Sequence, residues 1–391
     1  MISLSDYDYF LPSELIAQEP ANPPESAKCL HWNWETYSDK HVKDLWSMLD
    51  PNTLIIFNNT KVVKARIPLF SAKRMTSLGK QSIIQKWEIF FLEHSGSQQY
   101  EALVNPWKKF QIGDYISQDN RSMKVIAITE YGRILECSHD INDILEQYWQ
   151  IPLPPYIQYK EALTHRYQSV VAEKHGSVAS ATASLHFSPS LLKKLHNQGH
   201  NITTLTLHIG LWTFKIVSSD DIRDHPIHSE NIFITFELRE KIANTKSLKK
   251  PILAIGTTVV RTLESMLYIR KIIREKIYSF QHNRKKSTID YRDQKSLDLD
   301  LYEAQKYISN IQIEETFISC ATKIFLYPSK KCIIVDQLLT NFHLPKSSLL
   351  MLVASFIGYS NMMVLYNHAI QHRYRFFSFW DCMFLSSKQE E

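Results

Sequence analysis

Residues 339–356 read Leu339-Thr-Asn-Phe-His-Leu-Pro-Lys-Ser-Ser-Leu-Leu-Met-Leu-Val-Ala-Ser-Phe356, and this stretch decides the fold. The apolar run before it, Cys332 to Leu339, predicts a buried strand, and the leucine-rich run from Ser347 to Phe356 predicts a core helix. The connection between them carries four polar side chains: Thr340, Asn341, His343 and Lys346. Because α/β sheets bind ligands at the carboxyl ends of their strands, this connection is a candidate site. The alternative is a loop whose polar side chains only cap nearby backbone groups.

Two other predicted strands also end in polar residues. Leu54 to Phe57 is an apolar run followed by Asn58 and Asn59, which are typical of a turn or of a site. Pro251 to Ile255 leads into Gly256-Thr-Thr258 and a helix, where backbone N–H groups and hydroxyls suit an anionic or polyhydroxyl ligand. Alternating strands and helices over residues 190–372 predict an α/β sheet domain.

Two further segments that contain histidine are candidates for a site. Residues 176–187 are mostly small and contain His186; small residues permit either close approach of a ligand or tight packing. His225, His228 and Glu230 lie close together in the chain, and such side chains can bind zinc. The helical i, i+4 spacing of zinc proteases is missing, however, so hydrogen bonding is the preferred interpretation.

The pattern of apolar and polar residues changes between Pro68 and Gln150. Short alternating runs separated by glycine-containing turns predict five or six antiparallel strands in a small barrel or sandwich. The predicted fold is therefore a multi-domain α/β protein, with an α/β sheet domain at 1–67 plus 151–391 and an inserted antiparallel β-barrel domain at 68–150. Within the first domain, residues 267–313 form a charged excursion. A solvated surface is favoured there over an arm that contacts phosphates.

Composition limits the class of protein. The net charge of +5 and the pI near 8.7 are compatible with a phosphate-rich partner. No uncharged apolar run approaches eighteen residues, and the polar, acidic N-terminus is unlike a secretory signal. The five cysteines lie far apart without metal-ligand spacing, so we expect reduced thiols in a cytoplasmic protein.

Ten segments of the chain carry a resemblance to a known family, and they occur in that family's order. They are 6–20, 57–66, 151–157, 166–170, 176–187, 208–214, 225–230, 256–265, 340–353 and 374–378. Together they resemble the S-adenosylmethionine:tRNA ribosyltransferase-isomerase family of queuosine biosynthesis. The resemblance also implies an α/β domain with an inserted β-barrel, in agreement with the change of pattern at residues 68–150.

The resemblance implies a specific reaction. The family transfers and isomerises the ribosyl part of S-adenosylmethionine onto the aminomethyl group of a deazaguanine at the tRNA wobble position. The products are epoxyqueuosine-tRNA, adenine and methionine. S-adenosylmethionine is consumed as a co-substrate, and we expect no metal or other cofactor. The expected partners are this tRNA and S-adenosylmethionine, without a membrane, and the expected state is a monomer.

The chemistry assigns hypothetical roles to residues of the matching segments. A base must remove a proton beside the sulfonium, adenine must leave, and the acceptor amine must be held near the sugar. The candidate catalytic residues are His186, His208, His228, His343 and Glu230, and the base is left open among the histidines. The candidate substrate-binding residues are Asn58, Asn59, Arg66, Thr182, Gly210, Thr213, Gly256, Thr257, Thr258, Arg261, Asn341, Lys346 and Arg375.

Two alternative functions stay open at this point. The first is a non-catalytic tRNA-binding relative that keeps the fold and the basic surface but no longer binds the donor. The second is a methyltransferase that uses the same donor, although this chain lacks the glycine-rich turn after a first strand that such enzymes carry.

Tryptophan stands where the family typically has glycine, at Trp107, Trp149, Trp212 and Trp380. The chain has only 9 glycines in 391 residues, against an average usage of ~7%. Replacing the smallest side chain by the largest at turns and tight packing points is destabilising. Both facts follow if the source reads the UGA codon as glycine and the translation used tryptophan. Asn33-Trp34 is then an Asn-Gly turn. If the tryptophans are real, Trp212 crowds its loop and favours the non-catalytic alternative.

We therefore predict UGA codons at Trp107, Trp149, Trp212 and Trp380. Sequencing the coding DNA checks this directly, and peptide mass spectrometry of the native protein should find glycine at these positions. UGG codons at the four positions would contradict the hypothesis.

Overall fold

The computed structural model describes residues 2–63, 66–96, 98–105, 110–118, 121–129, 132–138, 157, 160–210, 217, 219–283, 300–377, 379 and 381–387. Within these residues the chain forms two compact units. The first comprises Met1–Lys61, Pro155–His175 and Ser180–Glu391, and the second comprises Val62–Pro154 and Gly176–Ala179. The sheets and helices confirm the predicted mixed α/β class.

A ten-stranded mixed sheet forms the first unit. Its strands are β1 (Lys28–Trp32), β2 (Tyr37–His41), β3 (Leu54–Asn58), β12 (Asn201–Leu207), β13 (Glu230–Thr235), β14 (Ile252–Ile255), β15 (Ile308–Ile313), β16 (Phe317–Thr322), β17 (Gln337–Asn341) and β18 (Cys382–Ser386). Their order is β15-β16-β13-β12-β3-β14-β17-β18-β1-β2. The four central strands β12, β3, β14 and β17 are parallel to one another. Every residue of β3, β14 and β17 is buried, as expected for strands covered on both faces.

The strand predicted from Cys332 begins five residues later, at Gln337. The reason lies in Glu264, a buried carboxylate that accepts hydrogen bonds from the backbone N–H groups of Ile333, Ile334 and Val335 at 2.9–3.1 Å. These N–H groups bond to a side chain, so residues 333–335 form an irregular segment in place of a strand. The strand then extends through Asn341, which the sequence had placed in the connection.

Helices cover the sheet. They are α1 (Leu45–Met48), α2 (Glu161–Thr164), α3 (Pro189–Asn197), α4 (Phe236–Ser247), α5 (Thr257–Asn283), α6 (Leu301–Tyr307), α7 (Ser348–Ile357) and α8 (Tyr359–Gln371). The predicted core helix is α7, and its N-cap Ser347 accepts from the N–H of Leu350 at 3.2 Å. No single described helix is long and apolar enough to cross a membrane, although α7 and α8 pass that test as a pair bent by 115°.

The predicted charged excursion is mostly regular structure where it is described. Residues 267–283 continue α5, and residues 301–313 form α6 and the edge strand β15. Salt bridges such as Lys271–Glu275 fit the solvated surface that the charges indicate. The basic cluster at 284–286 lies outside the described residues.

The second unit contains six antiparallel strands that close into a barrel in the order β10-β7-β6-β5-β8-β9. They are β5 (Arg66–Met75), β6 (Gln81–Gly96), β7 (Gln99–Asn105), β8 (Tyr115–Gln118), β9 (Arg121–Ile128) and β10 (Arg133–Cys137). Alternate apolar side chains, including Ile89, Phe91 and Val125, fill the interior. A two-stranded sheet of β4 (Thr60–Val62) and β11 (Lys174–Ser177) completes the strands.

Trp34 lies in the turn between β1 and β2 and has a φ of 84°. The N–H of Asn33 donates to the carbonyl of Thr36 at 3.1 Å, so Trp34 and Glu35 are the two central residues. Only the first of them has positive φ, which is the pattern of a type II′ turn and favours glycine there. Trp107, Trp149, Trp212 and Trp380 lie outside the described residues.

Replacing Trp34 by glycine should raise the free energy of unfolding by about 1 kcal/mol, because a side chain at left-handed φ costs ~1–2 kcal/mol and the lost indole packing offsets part of the gain. Denaturant unfolding monitored by circular dichroism measures the difference. Trp34→Ala is the matched control, since it removes the indole but keeps the Cβ atom. Equal stability of the glycine and alanine variants would show that the backbone is not strained there.

Candidate functional site

The four parallel central strands bring their polar ends to one edge of the sheet. β3 ends at Asn58, β12 leads into His208 to Gly210, β14 leads into Gly256, and β17 ends at Asn341. Ligands of open α/β sheets bind in the crevice outside these carboxyl ends. Two cavities lie in this region of the first unit.

The larger cavity, of about 800 Å³, is here called the threonine cavity because Thr182, Thr257, Thr258 and Thr340 line it. Three segments distant in the chain meet there: residues 180–183, residues 256–258 and residues 340–344. Apolar side chains, Ile209, Phe342 and Leu349 among them, supply the rest of its wall. Hydroxyls at a helix N-terminus beside apolar walls fit a ligand with both a sugar and a planar ring.

Buried contacts fix these three segments to one another. His186 is fully buried, and its Nε2 lies 2.8 Å from Oδ1 of Asn341. Gly256 has φ +93°, and a Cβ atom built there would lie 3.4 Å from Cβ of Ala183. Burial lowers the pKa of His186, and its hydrogen bond to Asn341 joins the 182–186 turn to β17.

Ser180 supplies a polar atom that the described protein residues leave unsatisfied. Its hydroxyl is buried, lines the threonine cavity, and has no hydrogen-bond partner among the described residues. Buried polar atoms are nearly always bonded to protein, water or a ligand, so this hydroxyl can bond to a molecule in the cavity.

His343 lines the same cavity and is held from several sides. The ring Nε2 of His343 lies 2.9 Å from Oγ1 of Thr340, and the backbone N–H of His343 donates to the hydroxyl of Tyr366 at 2.9 Å. The hydroxyl of Tyr9 donates to its carbonyl. Burial lowers the pKa of His343 to about 3, so the imidazole is neutral at physiological pH. A neutral imidazole in this position can donate or accept a hydrogen bond, but it is a weak proton acceptor.

The second cavity, of about 610 Å³, is here called the arginine cavity because Arg261 and Glu230 line it together with His225 and His228. Nη1 of Arg261 donates to Oε2 of Glu230, and both side chains are buried. Leu349 lines both cavities, Ser347 lines the threonine cavity and Ser348 lines the arginine cavity. The two cavities are therefore adjacent at the first residues of α7.

The predicted site residues divide into three groups. Those that line a cavity are Thr182, Gly210, His228, Glu230, Gly256, Thr257, Thr258, Arg261, Asn341 and His343. Those that are described but line neither cavity are Asn58, Asn59, His186, His208, Lys346 and Arg375. Thr213 lies outside the described residues, and only the backbone of Arg66 is described, at the start of β5.

The second group has structural partners. Asn58 accepts from the N–H of Leu207 and donates to its carbonyl, which joins β3 to β12 in the manner of the turn alternative. Asn59 accepts from the hydroxyl of Thr206, and Nδ1 of His208 lies 2.9 Å from Oγ1 of Thr60. Lys346 pairs with Asp8 at 2.6 Å, and Arg375 pairs with Asp381 at 3.2 Å.

Sequence reasoning missed the apolar and small members of both cavities. Phe342, Leu344 and Leu349 resemble ordinary core residues in the sequence, and only the fold shows that they face an opening. Ser347 carried a detectable signal, because an N-cap serine directly follows the polar connection. His225 was considered as a metal ligand or a hydrogen-bonding group but was not among the candidate site residues, and it lines the arginine cavity.

Among the residues that the structure describes, one group has side chains close enough to share a metal ion: Asp39, His368 and His372. It lines neither cavity. Nε2 of His368 lies 2.9 Å from Oδ1 of Asp39, and the hydroxyl of Tyr374 donates to the same oxygen, so these groups are satisfied by one another.

Comparison with known proteins identifies the family of this chain. The family model described as queuosine biosynthesis protein matches residues 4–385. The chain belongs to the queuosine biosynthesis protein family. The resemblance carried by the ten sequence segments is thereby confirmed. The chain is also similar to S-adenosylmethionine tRNA ribosyltransferase from Thermotoga maritima, with 27% identity over 97% of this chain and 99% of that chain and a TM-score of 0.48.

The neutral state of His343 in this queuosine-family chain makes stability depend on pH. The unfolded chain takes up a proton on this residue below pH ~6.5, whereas the folded chain does so only near the lowered pKa of about 3. Stability should therefore fall as the pH is lowered through this window.

Replacing His343 by glutamine should reduce the slope of unfolding free energy against pH between ~pH 6 and ~pH 4 by roughly 1 kcal/mol per pH unit. Urea unfolding at several pH values measures the slope. The exposed His196, replaced in the same way, serves as the control. An unchanged slope in His343→Gln would show that this imidazole is charged in the folded protein.

Proposed function

We propose that this chain transfers and isomerises the ribosyl part of S-adenosylmethionine onto the aminomethyl-deazaguanine at the tRNA wobble position. Membership of the queuosine biosynthesis family supports this proposal. The single observation that carries it further is the threonine cavity, in which segments around residues 181, 257 and 342 meet at the carboxyl ends of parallel strands. Its hydroxyls and apolar walls fit the ribose and the adenine of the donor.

The reaction requires bonds to break at both ends of the sugar. The bond from sulfur to the sugar breaks and releases methionine, and the bond from the sugar to the base breaks and releases adenine. A bond forms between the acceptor amine nitrogen and a sugar carbon, and the sugar closes to an epoxide-bearing carbocycle through a new carbon–carbon bond. The proton lost from a sugar carbon is balanced by the proton that adenine takes up, and the proton lost from the amine carries away the positive charge of the sulfonium. Protein groups must therefore accept a proton near the sulfonium and hydrogen-bond the departing adenine.

The environments of the histidines divide these two roles. His343 is half-buried and neutral beside the threonine cavity, which suits a hydrogen bond to adenine and disfavours proton uptake. His186 and His208 line neither cavity. His228 lines the arginine cavity together with Glu230, so we assign proton transfer to His228.

Thr257 and Thr258 begin α5 at the edge of the threonine cavity. We propose that these threonine hydroxyls and the N-terminus of α5 bind the ribose hydroxyls, because the partial positive charge of a helix N-terminus favours oxygen lone pairs. Asn341 continues this wall, and its Nδ2 donates to the carbonyl of Phe377 at 3.3 Å, which leaves it fixed by contacts on both sides of its amide. A rigid wall of this kind positions the sugar for attack.

The proposal is tested by incubating the protein with S-adenosylmethionine and tRNA that carries the precursor base. We expect free adenine in equal amount to modified tRNA, and His343→Ala should lower the rate of adenine release by at least ~100-fold. His368→Ala is the control, because His368 lines neither cavity. The measurement is chromatography of the small products and nucleoside analysis of the tRNA.

The other outcomes identify the alternatives. Adenosylhomocysteine in place of adenine would indicate a methyltransferase, and tRNA binding without either product would indicate a non-catalytic relative. Turnover by His343→Ala at the wild-type rate would remove this residue from the mechanism. The assay should be run on the chain as written and on a chain with glycine at the four tryptophans named above.

A further inference from the structure

We propose that the arginine cavity binds the amino-acid end of S-adenosylmethionine, with Nη2 of Arg261 donating to the carboxylate and Glu230 accepting from the ammonium group. The inference rests on the proposed function, and it assigns the two cavities to the two ends of one donor molecule.

One donor nitrogen of the Arg261 guanidinium, Nη2, has no acceptor among the described residues. The Nε of Arg261 donates to the carbonyl of Ile324 at 3.3 Å and its Nη1 donates to Glu230. Arg261 is nevertheless only 9% exposed. A buried charged donor without an acceptor is rare in folded proteins, so the cavity that Arg261 lines should receive an acceptor.

The charges of this cavity match an amino acid. Arg261 and Glu230 form a buried pair with no net charge, so binding a single anion or cation would leave one charge uncompensated. A zwitterion brings one charge of each sign and can bond to both members of the pair. The amino-acid end of the donor is such a group.

The spacing along α5 fits the length of the donor. Thr258 lines the threonine cavity and Arg261 lines the arginine cavity, three residues later on the same helix. Three residues correspond to a rise of about 4.5 Å along the helix axis. The three-carbon chain between the sulfur and the carboxylate of the donor has a comparable length, and Leu349, Leu352 and Phe325 offer it an apolar wall.

A competing occupant is the precursor base of the tRNA, whose aminomethyl cation could approach Glu230. The base carries no carboxylate for Nη2 of Arg261, which is why the donor is preferred. The experiment therefore compares S-adenosylmethionine with its decarboxylated form, in the absence of tRNA.

Equilibrium dialysis should measure the dissociation constants of both compounds for the wild type and for Arg261→Lys. We expect the wild type to bind S-adenosylmethionine about 10- to 100-fold more tightly than the decarboxylated form, as for a charge-assisted hydrogen bond. Arg261→Lys should reduce this ratio to below about 3-fold, because it loses the guanidinium fork. Arg223→Lys, in an Arg–Asp pair that lines neither cavity, should leave the ratio unchanged.

Three outcomes would overturn the inference. These are equal binding of both compounds by the wild type, an unchanged ratio in Arg261→Lys, or a raised KM for tRNA in that variant without any change in donor binding. The proposed function fails separately, if the wild type releases no adenine from donor and tRNA.

A second variant keeps the test decisive should Arg261→Lys not fold. Ile227→Trp narrows the arginine cavity, which Ile227 lines, and leaves the lining of the threonine cavity unchanged. It should weaken S-adenosylmethionine binding at least about 10-fold and leave binding of 5′-methylthioadenosine, which has no amino-acid chain, within about 2-fold. Equal effects on both compounds would contradict the assignment of the arginine cavity.

Discussion

Parallel pairing of four central strands is the constraint on which the site depends. β3 pairs in parallel with β12 and β14, and β14 pairs in parallel with β17, so all four strands end at the same edge. Their last residues are polar or are followed by glycine and threonine, and the chain must turn there. Backbone pairing thus brings together groups from residues 58, 208, 256 and 341, and the Asn58 amide adds bonds to Leu207 and to Thr258.

Helix α5 links this edge to the rest of the sheet. Thr258 lines one cavity, Arg261 lines the other, and Glu264, three residues further, accepts three backbone N–H groups from residues 333–335. Burial raises the pKa of Glu264 to about 7, and the N–H bonds oppose this rise. One helix therefore positions both cavities and the entry to β17, which carries the remaining wall of the threonine cavity.

The elements that the sequence predicts well are those with a local physical signal. The helix after residue 347 has an N-cap serine and a leucine-rich face, and the strand–Gly–Thr–Thr–helix unit at 252–258 has its turn residues in place. The start of β17 was placed wrongly because a glutamate seventy residues away satisfies the backbone of residues 333–335, which no local pattern reveals. Local sequence also does not reveal which polar residues at strand ends face a cavity, so all of them were candidates. Asn58 and Asn59 instead bond to neighbouring strands.

Two bulky residues at positive φ show how strain and function can be separated. Phe377 has a φ of 86°, lines the threonine cavity, and its carbonyl accepts from Asn341, so the surrounding site holds its strained backbone in place. Such strain is common where a site imposes the conformation. Trp34 has a φ of 84° in a half-buried hairpin turn that lines neither cavity. The turn is closed by Asn33, whose Oδ1 accepts from the N–H groups of Glu35 and Thr36 regardless of the residue between. Nothing in that turn requires an indole, and its backbone favours glycine, which is what translation of UGA as glycine would place there.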